Sequence, residues 1–392
     1  MSYIYNSTGY KMFNGNIINS RGCYIFDKEG NRYLDMESGV WCLPLGHKHP
    51  KIMAAMQEQM SRLCHVGYKY NDVIVEKAAK KLVEIAKMPT GKCVFLSSGS
   101  EAVEYGIQLA KVLRPTKKCL CLENQYLSAY GYGGNLMNSD WIRIPWNDQV
   151  DKSIEDWTND LKSTIDFNSI GVFVFEAGNS SGLVKLPPYN LVKALNLILK
   201  EIGALIVVNE ITCGIGRTGK WFGYMHYEII PDIIAVGKGL GNGYPVSAVI
   251  IKDDVVANVE QTDFHYAQSH QNDPLGCSIA LAVLTTIEEE NLLKKTKLMG
   301  EYFRQEYRKL KQKHSVIKEV RGIGFLNSIE FSDKIEESHL EQLENNLYIR
   351  GFIVAIKAKD KVLRTYNPLI LEKDMIDSFI DSLDKALNFS PR

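Results

Sequence analysis

The sequence predicts an α/β protein whose larger domain is built around a mostly parallel sheet. Short, continuous apolar runs alternate with helical patterns through the middle of the chain. Strands that are buried on both faces of a parallel sheet give such runs. One example is "VFVF" at residues 172–175, which precedes a helical pattern at residues 190–203. The other predicted central elements are strands at residues 93–96, 204–208, 232–236 and 246–251 and a helix at residues 100–113.

The two ends of the chain predict a second, smaller α+β domain. Residues 22–36 have the pattern of a hairpin with a turn at residues 28–31. After residue 275 come two long helical patterns, then a strand pair around residues 322–331, then a final helix at residues 372–387. We therefore expect a large α/β domain at residues 46–274. The small domain is expected to combine residues 1–45 and 275–392.

Composition excludes several classes of function. Lysine plus arginine equals aspartate plus glutamate, 46 each in 392 residues, so no electrostatic argument favours nucleic acid or an anionic membrane. The longest uncharged apolar stretch has 14 residues, below the roughly 18 of a membrane helix. The start of the chain has no apolar signal core, so we expect a cytoplasmic protein. Eight scattered cysteines without a C-x-x-C pair predict neither a zinc site nor a disulfide framework.

A candidate phosphate site lies where the strand at residues 93–96 runs into a helix. Gly99 and Ser100 stand at this junction, in "LSSGSEAVE". Backbone N–H groups at a helix N-terminus, together with a hydroxyl, bind a phosphate dianion, and a glycine lets the backbone approach closely. The same pattern is also typical of an ordinary helix cap.

A lysine and an amide mark the carboxyl ends of two successive predicted strands. Lys238 follows the strand at residues 232–236 inside a glycine-rich turn, and Asn209 ends the strand before it. Ligands of open α/β sheets bind at this edge, where burial lowers the pKa of an amine. A phosphate cradle, a lysine for a Schiff base and a polar strand-end side chain together indicate a pyridoxal phosphate (PLP) site.

The segment at residues 209–250 closely resembles the signature of the class III (ω-type) PLP-dependent aminotransferases. "SGSEAVE" resembles their phosphate-binding turn, "LPLGHKHPKIMAAMQEQMSRLCH" their N-terminal segment, and "VRGIGF" and "LRTYNPLI" their C-terminal landmarks. The resemblance implies fold type I and a homodimer whose active site lies at the subunit interface. The residues that match the family signature are Gly214, Arg217, Thr218, Gly219, Pro231, Asp232, Lys238, Gly243, Tyr244 and Pro245.

The resemblance also implies roles for residues around the cofactor. Lys238 would form the aldimine with PLP and carry the proton, and Gly99 and Ser100 would hold the phosphate. Tyr126 would stack on one face of the cofactor ring and Ile211 would pack on the other.

Four further residues match family positions near the cofactor or the substrate. Ser269 stands where a threonine usually reaches the partner subunit's phosphate, and Glu176 matches an acid near the cofactor. Trp41 falls where the family lines the substrate pocket, and Arg364 matches an arginine that in many members binds a substrate carboxylate. The alternatives are structural: Trp41 as a core tryptophan, Arg364 as part of an ion pair, and Glu176 as a loop anchor.

The sequence departs from the family at the residue that meets the pyridine nitrogen. The family has aspartate there, which keeps the nitrogen protonated, whereas Asn209 supplies no charge and predicts a weaker electron sink. Thr212 replaces the glutamine that usually meets the cofactor's phenol oxygen. Leu127-Ser128 replaces His-Gly, and the loop at residues 176–182 is one residue shorter and lacks a second acid.

The leading hypothesis is an aminotransferase that moves an amino group between an amine or amino acid and an oxo acid or aldehyde. An amino-acid racemase or epimerase on the same fold is the second, because a weak electron sink disfavours the protonation that leads to transamination. The third is a cofactor-binding or assembly protein without turnover.

Overall fold

The structure, a computed structural model, describes residues 3, 5–8, 13, 16–178 and 182–388. It contains three β-sheets, with helices packed around them. The N-terminal sheet begins with β1 (Ile17–Arg21), β2 (Tyr24–Asp27) and β3 (Arg32–Asp35), which pair as an antiparallel meander. The predicted hairpin at residues 22–36 is therefore confirmed, and β1 adds a strand that was not predicted.

The central sheet has seven strands in the order β4-β10-β9-β8-β7-β5-β6. The five strands from β9 to β6 are parallel, whereas β10 pairs antiparallel with both β9 and β4. The mostly parallel sheet is confirmed, and β5 and β6 are additional to the predicted strands. The strands are β4 (Lys92–Leu96), β5 (Lys118–Leu122), β6 (Trp141–Ile144), β7 (Ile170–Glu176), β8 (Leu205–Asn209), β9 (Ile233–Val236) and β10 (Ser247–Ile251).

Helices cover both faces of this sheet, because its strands are apolar on both sides. In β8, Ile206 and Val208 point into one hydrophobic core, while Leu205 and Val207 point into the other. The helices up to residue 289 are Pro50–Arg62, Val73–Ile85, Gly99–Leu113, Gly131–Gly134, Ile154–Thr164, Tyr189–Glu201, Asp253–Val259 and Pro274–Glu289. Short 3-10 helices lie at Phe167–Ser169, Gly223–Tyr227 and Lys238–Gly241.

The C-terminal part of the chain forms a third sheet in the order β11-β12-β15-β14. The predicted strand pair and the final helix are confirmed here. The strands after residue 313 are β11 (Ile317–Ile323), β12 (Leu326–Phe331), β13 (Phe352–Ile353), β14 (Ala355–Lys357) and β15 (Val362–Tyr366). The helices of this part are Leu292–Lys313, Glu337–Ile349 and Lys373–Leu387.

The two ends of the chain meet in the first sheet. Strand β13 pairs in parallel with β3, with Phe352 opposite Leu34 and Ile353 opposite Asp35. The division into domains at residues 45/46 and 274/275 stays a prediction. Within the described ranges, no helix has the length and apolar character needed to cross a bilayer. The predicted cytoplasmic location likewise stays a prediction.

Candidate active site

The carboxyl edge of the central sheet brings together the side chains that sequence reasoning placed there. Glu176 ends β7 and pairs with Asn209, the last residue of β8. Asn209 in turn pairs with Ala235 on β9, and Lys238 follows that strand directly. Three adjacent parallel strands thus deliver a carboxylate, an amide and an amine to one edge, as their spacing in the sequence predicts.

Lys238 lies in a mostly apolar environment with few polar partners. Its backbone is left-handed, with φ of 43°, at the start of the 3-10 helix Lys238–Gly241. The Nζ donates a hydrogen bond to Thr212 Oγ1 at 3.1 Å and lies 4.7 Å from the centre of the Trp41 ring. Burial lowers the pKa of the Lys238 amine, and the nearby Cys42 and Glu176 oppose this shift only in part. A larger share of neutral, nucleophilic amine at physiological pH follows.

Asn209 is buried, and its amide is committed to hydrogen bonds with the backbone. The Nδ2 group donates to the carbonyl oxygens of Tyr126 at 3.1 Å and Leu127 at 3.4 Å. The Oδ1 atom accepts from the N–H of Ile211 at 3.1 Å. A carboxylate in this place would set one oxygen against two carbonyl oxygens, which repel it. The surroundings of residue 209 therefore favour an amide.

Glu210, the residue after Asn209, has a structural role. Glu210 is fully buried, and its two oxygens accept hydrogen bonds from the backbone N–H groups of Gly223 and Tyr224, both at 2.7 Å. It thereby fixes the glycine-rich segment that follows β8 to the start of the helix Gly223–Tyr227. Sequence reasoning did not assign this role, although a carboxylate at the end of a buried strand requires such donors.

The N-terminus of the helix Gly99–Leu113 lies against Ile211. A Cβ added to Gly99 would come within 2.6 Å of Ile211 Cγ2, so no larger residue fits there without a shift. Ser98 and Glu101 form a capping box, and Ser100 Oγ accepts a hydrogen bond from the N–H of Ala129 at 3.0 Å. The predicted phosphate turn is thus a true helix start with a hydroxyl in its first turn.

Of the two predicted substrate residues, Trp41 lies next to Lys238 and Arg364 lies next to Trp41. The Trp41 ring has Lys238 Nζ on one side and the Arg364 guanidinium 5.6 Å from its centre, and it meets Tyr366 edge-on at 4.5 Å. Arg364, on β15, is only 2% exposed. The indole Nε1 of Trp41 is buried and finds no hydrogen-bond acceptor in the part of the chain that the structure describes.

The other predicted site residues are connected to this cluster to different degrees. Tyr126 is half exposed, and its carbonyl is bonded by Asn209. Glu176 is 2% exposed, and the Gln125 side chain donates to its carbonyl and accepts from its N–H. Ser269 is exposed, and no hydrogen bond among the described residues joins it to Lys238. In the loop after Glu176, residues 179–181 lie outside the described residues, so the predicted shortening there stays a prediction.

Comparison with known proteins identifies the family to which this fold and sheet edge belong. A model of the family described as aminotransferase class-III matches residues 5–126 and 122–387. The chain belongs to this family. Its α/β fold is that of the fold type I PLP-dependent transaminases, and the enzyme is a PLP-dependent aminotransferase, as predicted.

Relatives and solved structures align with this chain over nearly its full length. Acetylornithine aminotransferase of Methanopyrus kandleri is 29% identical, covering 98% of this chain and 97% of that protein. Leucine/methionine racemase of Thermococcus litoralis is 28% identical, covering 94% and 90%. The crystal structure of acetylornithine aminotransferase from Elizabethkingia anophelis superposes with a TM-score of 0.84 at 26% identity, covering 97% and 95%.

The residues of this class-III aminotransferase fit the cofactor of its family. The helix start at Gly99 and Ser100 offers N–H groups and a hydroxyl to a phosphate, and Ile211 lies beside it. Lys238 offers an amine whose pKa is lowered by burial. An acceptor is also lacking for the buried indole N–H of Trp41 within the described chain, so a polar group of a bound molecule could pair with it.

Sequence reasoning missed the backbone conformation that places Trp41 beside Lys238. Residues Ser38 to Trp41 form a left-handed turn, with φ of 45°, 56°, 57° and 71° in order. Left-handed backbone costs roughly 1–2 kcal/mol for each residue with a Cβ. Only Gly39 in "SGVW" signals such a turn, and Arg217, seen in the sequence merely as a signature residue, contacts it.

Proposed function

We propose that this aminotransferase takes an amino acid as one substrate, with Lys238 as its catalytic residue and Arg364 as the group that binds the substrate carboxylate. The observation that supports this proposal best is the position of Trp41. Both Lys238 and Arg364 lie close to its ring. A substrate on this ring could reach the reacting amine with one end and the buried guanidinium with the other.

Glu37, an acidic neighbour of Arg364, is partly protonated at neutral pH. Burial, and after it the Asp35 carboxylate, raise the pKa of Glu37 to about 7, although Arg364 opposes the shift. At neutral pH, Glu37 therefore neutralises only part of the positive charge. A substrate carboxylate would form a charge-assisted bidentate pair with the guanidinium.

PLP, when bound, supplies a covalent attachment point for amines and draws electrons from the carbon next to the substrate nitrogen. The protein's part is to bind, orient and move protons. We propose that Gly99 and Ser100 hold the phosphate, Tyr126 and Ile211 flank the ring, and Glu176, Asn209 and Thr212 contact its polar edge. The Lys238 amine would take the proton from the substrate's α-carbon and carry it to the cofactor carbon, which is the net proton shift of amino transfer.

A homodimer with a shared site is also part of the proposal. Ser269 is exposed and separate from the Lys238 cluster, which suits a hydroxyl that serves the partner subunit's phosphate. Light scattering on the PLP-loaded protein is expected to give twice the mass of the chain. A monomer that binds PLP tightly would contradict the shared site.

The proposed substrate class is tested by replacing Arg364. Matched pairs of donors, such as alanine with ethylamine and phenylalanine with 2-phenylethylamine, differ only by the carboxylate. In Arg364→Gln, we expect kcat/KM to fall about 10- to 150-fold for the amino acids, because a hydrogen bond to a charged group is lost, and to change little for the amines. Arg321→Gln, which removes an arginine that pairs with Asp148 and Glu330, is the control. An equal fall for both members of each pair would show that Arg364 has only a structural role.

Racemisation is the second candidate, and Asn209 is the observation that favours it. The amide gives the site no negative partner at this position. One of the relatives is a racemase by name. Incubation of single enantiomers without an oxo acceptor separates the two functions, because amino transfer then stops after one half-reaction. Loss of optical rotation over many turnovers would establish a racemase.

A further inference from the structure

The turn at Ser38–Trp41 has a backbone conformation that its own residues disfavour. All four residues have positive φ, yet only Gly39 lacks a Cβ. Val40 is the most unusual, because a β-branched residue rarely adopts φ of 57°, and it is 61% exposed, so burial of its side chain does not explain the conformation. Strained backbone of this kind persists only where the surroundings enforce it.

The first half of the turn is enforced by a carboxylate. Asp35, the last residue of β3, accepts hydrogen bonds from the N–H of Gly39 at 2.8 Å and of Glu37 at 3.1 Å. The Nε2 of His47 lies 2.9 Å from the same carboxylate and fixes it from the other side. These bonds hold the entry to the turn, but they do not reach Trp41.

The second half has backbone bonds of its own, such as Trp41 N–H to Glu37 O at 2.7 Å, and it is tied to the rest of the chain by Arg217. Its Nη2 donates to the carbonyl of Trp41 at 3.0 Å, and its Nη1 donates to the carbonyl of Asn367 and contacts Ser38 Oγ at 3.4 Å. Ser38 Oγ also donates to the carbonyl of Tyr366. The guanidinium thereby ties both ends of the turn to the chain that follows β15.

Arg217 is an unusual arginine, because its hydrogen bonds within the described chain go to carbonyls and a hydroxyl. It is 2% exposed, and burial lowers its pKa to about 10. Burying a charge without a directly bonded carboxylate is unfavourable, so a purely stabilising role is a poor explanation. The guanidinium does fix the backbone of Trp41, and the ring of this residue lies close to Lys238 and Arg364.

We propose that Arg217 is a positioning residue that locks the left-handed turn Ser38–Trp41 and so sets the size of the substrate pocket through the Trp41 ring. The inference rests on the proposed function, because it takes the space around Trp41, Lys238 and Arg364 to be the substrate pocket. Two donor nitrogens are needed, because Nη2 donates to Trp41 while Nη1 contacts Asn367 and Ser38. A lysine has a single donor group and cannot serve both ends.

The test is a double-mutant cycle on the PLP-loaded enzyme. Its readout is the ratio of kcat/KM between the largest and the smallest amino-acid donor that the wild-type enzyme accepts. Trp41→Ala and Arg217→Lys are each expected to shift this ratio by about tenfold. In the double variant, Arg217→Lys should add less than about twofold to the effect of Trp41→Ala, since it acts through that ring.

The matched control is Arg114→Lys. Arg114 also donates through both terminal nitrogens to backbone carbonyls, those of Leu113 and Gly203, but Gly203 precedes β8 at the opposite edge of the central sheet. This variant should lower the melting temperature and leave the donor ratio unchanged. If Arg217→Lys does not fold, Ser38→Ala weakens the same connection and should shift the ratio in the same direction by a smaller factor.

The outcomes separate the inference from the proposed function. If Trp41→Ala leaves the donor ratio unchanged, the pocket lies elsewhere and the proposed function fails with it. If Trp41→Ala shifts the ratio but Arg217→Lys and Ser38→Ala do not, only the positioning role is overturned. Fully additive effects of Arg217→Lys and Trp41→Ala would also overturn it.

Discussion

The carboxyl edge of the central sheet and the turn at Ser38–Trp41 both border Lys238, but they are held in place by different forces. The edge follows from regular pairing, in which Glu176, Asn209 and Ala235 lie side by side on parallel strands. The turn is a single left-handed turn with its own backbone bonds, and the side chains of Asp35 and Arg217 hold it in its disfavoured conformation. One region is a product of sheet topology, and the other also needs side-chain hydrogen bonds.

This difference in support parallels a difference in the proposed roles of the two regions. The residues that we propose for the chemistry lie on the edge, where backbone pairing sets their spacing. Trp41, which we propose to contact the substrate, lies on a strained turn that a few side chains help to hold. We therefore expect substitutions at the edge to affect the rate or the protein's stability, and substitutions around the turn to affect which substrates are accepted.

The largest effect is expected at the edge, from Lys238→Ala. Without the amine, amino transfer should slow by at least about 10⁴-fold, the upper range for loss of a general acid–base group. Borohydride should no longer fix PLP covalently to the protein, and peptide mapping measures this directly. Lys252→Ala, which removes an exposed lysine that pairs with Asp254, should retain both properties. Covalent fixation of PLP in the Lys238 variant would move the attachment site elsewhere.

An intermediate effect is expected from Asn209→Asp, measured as the free energy of unfolding between pH 4 and 8. The new carboxylate would be buried against the carbonyls of Tyr126 and Leu127, so its pKa should rise above the value of about 3.9 in the unfolded chain. The variant should therefore match the wild type near pH 4. It should lose about 1–3 kcal/mol as the pH rises through the raised pKa.

The exposed substitution Asn168→Asp is the control for this series and should show no such loss at high pH. An Asn209→Asp variant as stable as the wild type at pH 8 would mean that the edge accepts a carboxylate after all. In that case the asparagine would have to be explained by the reaction alone.

The smallest effect is expected at the turn, from Val40→Gly. Glycine adopts positive φ without a Cβ clash, and this relief opposes the entropy that glycine loses on folding. We expect the stability to the denaturant urea to stay unchanged or to rise by up to about 1 kcal/mol. At Val73, an exposed residue at the start of the helix Val73–Ile85, the same change should cost up to about 0.5 kcal/mol. Equal losses at both positions would show that the turn is not strained.

The two regions also differ in how well the sequence predicted them. Apolar runs ending at Asn209 and before Lys238 predicted parallel neighbours, because local patterns and short crossovers determine such pairs. The antiparallel pairing of β10 with β4 was not predictable in this way, since their partners are about 150 residues apart in the chain and no local signal specifies them. Strand β5, "KCLCL", was overlooked because its run is short and no helical pattern follows directly.

The turn at Ser38–Trp41 escaped prediction for a stronger reason. Serine, valine and tryptophan all disfavour left-handed backbone, so local preference argued against the observed conformation. The signals that decide it, Arg217 and the carbonyl of Asn367, lie roughly 180 and 330 residues further along the chain. The role of Ser269 stays a prediction, because it concerns a second subunit.

The pairing of β3 with β13 has a consequence for the order in which the pocket forms during synthesis. Domains generally fold from the N-terminus while the ribosome is still at work. The central sheet is complete once residue 251 has emerged, so the edge around Lys238 can form early. The turn after β3 must wait for Ile353 and Asn367, which leave the ribosome about a hundred residues later. A nascent chain would thus present the reactive lysine before the wall that selects its substrates exists.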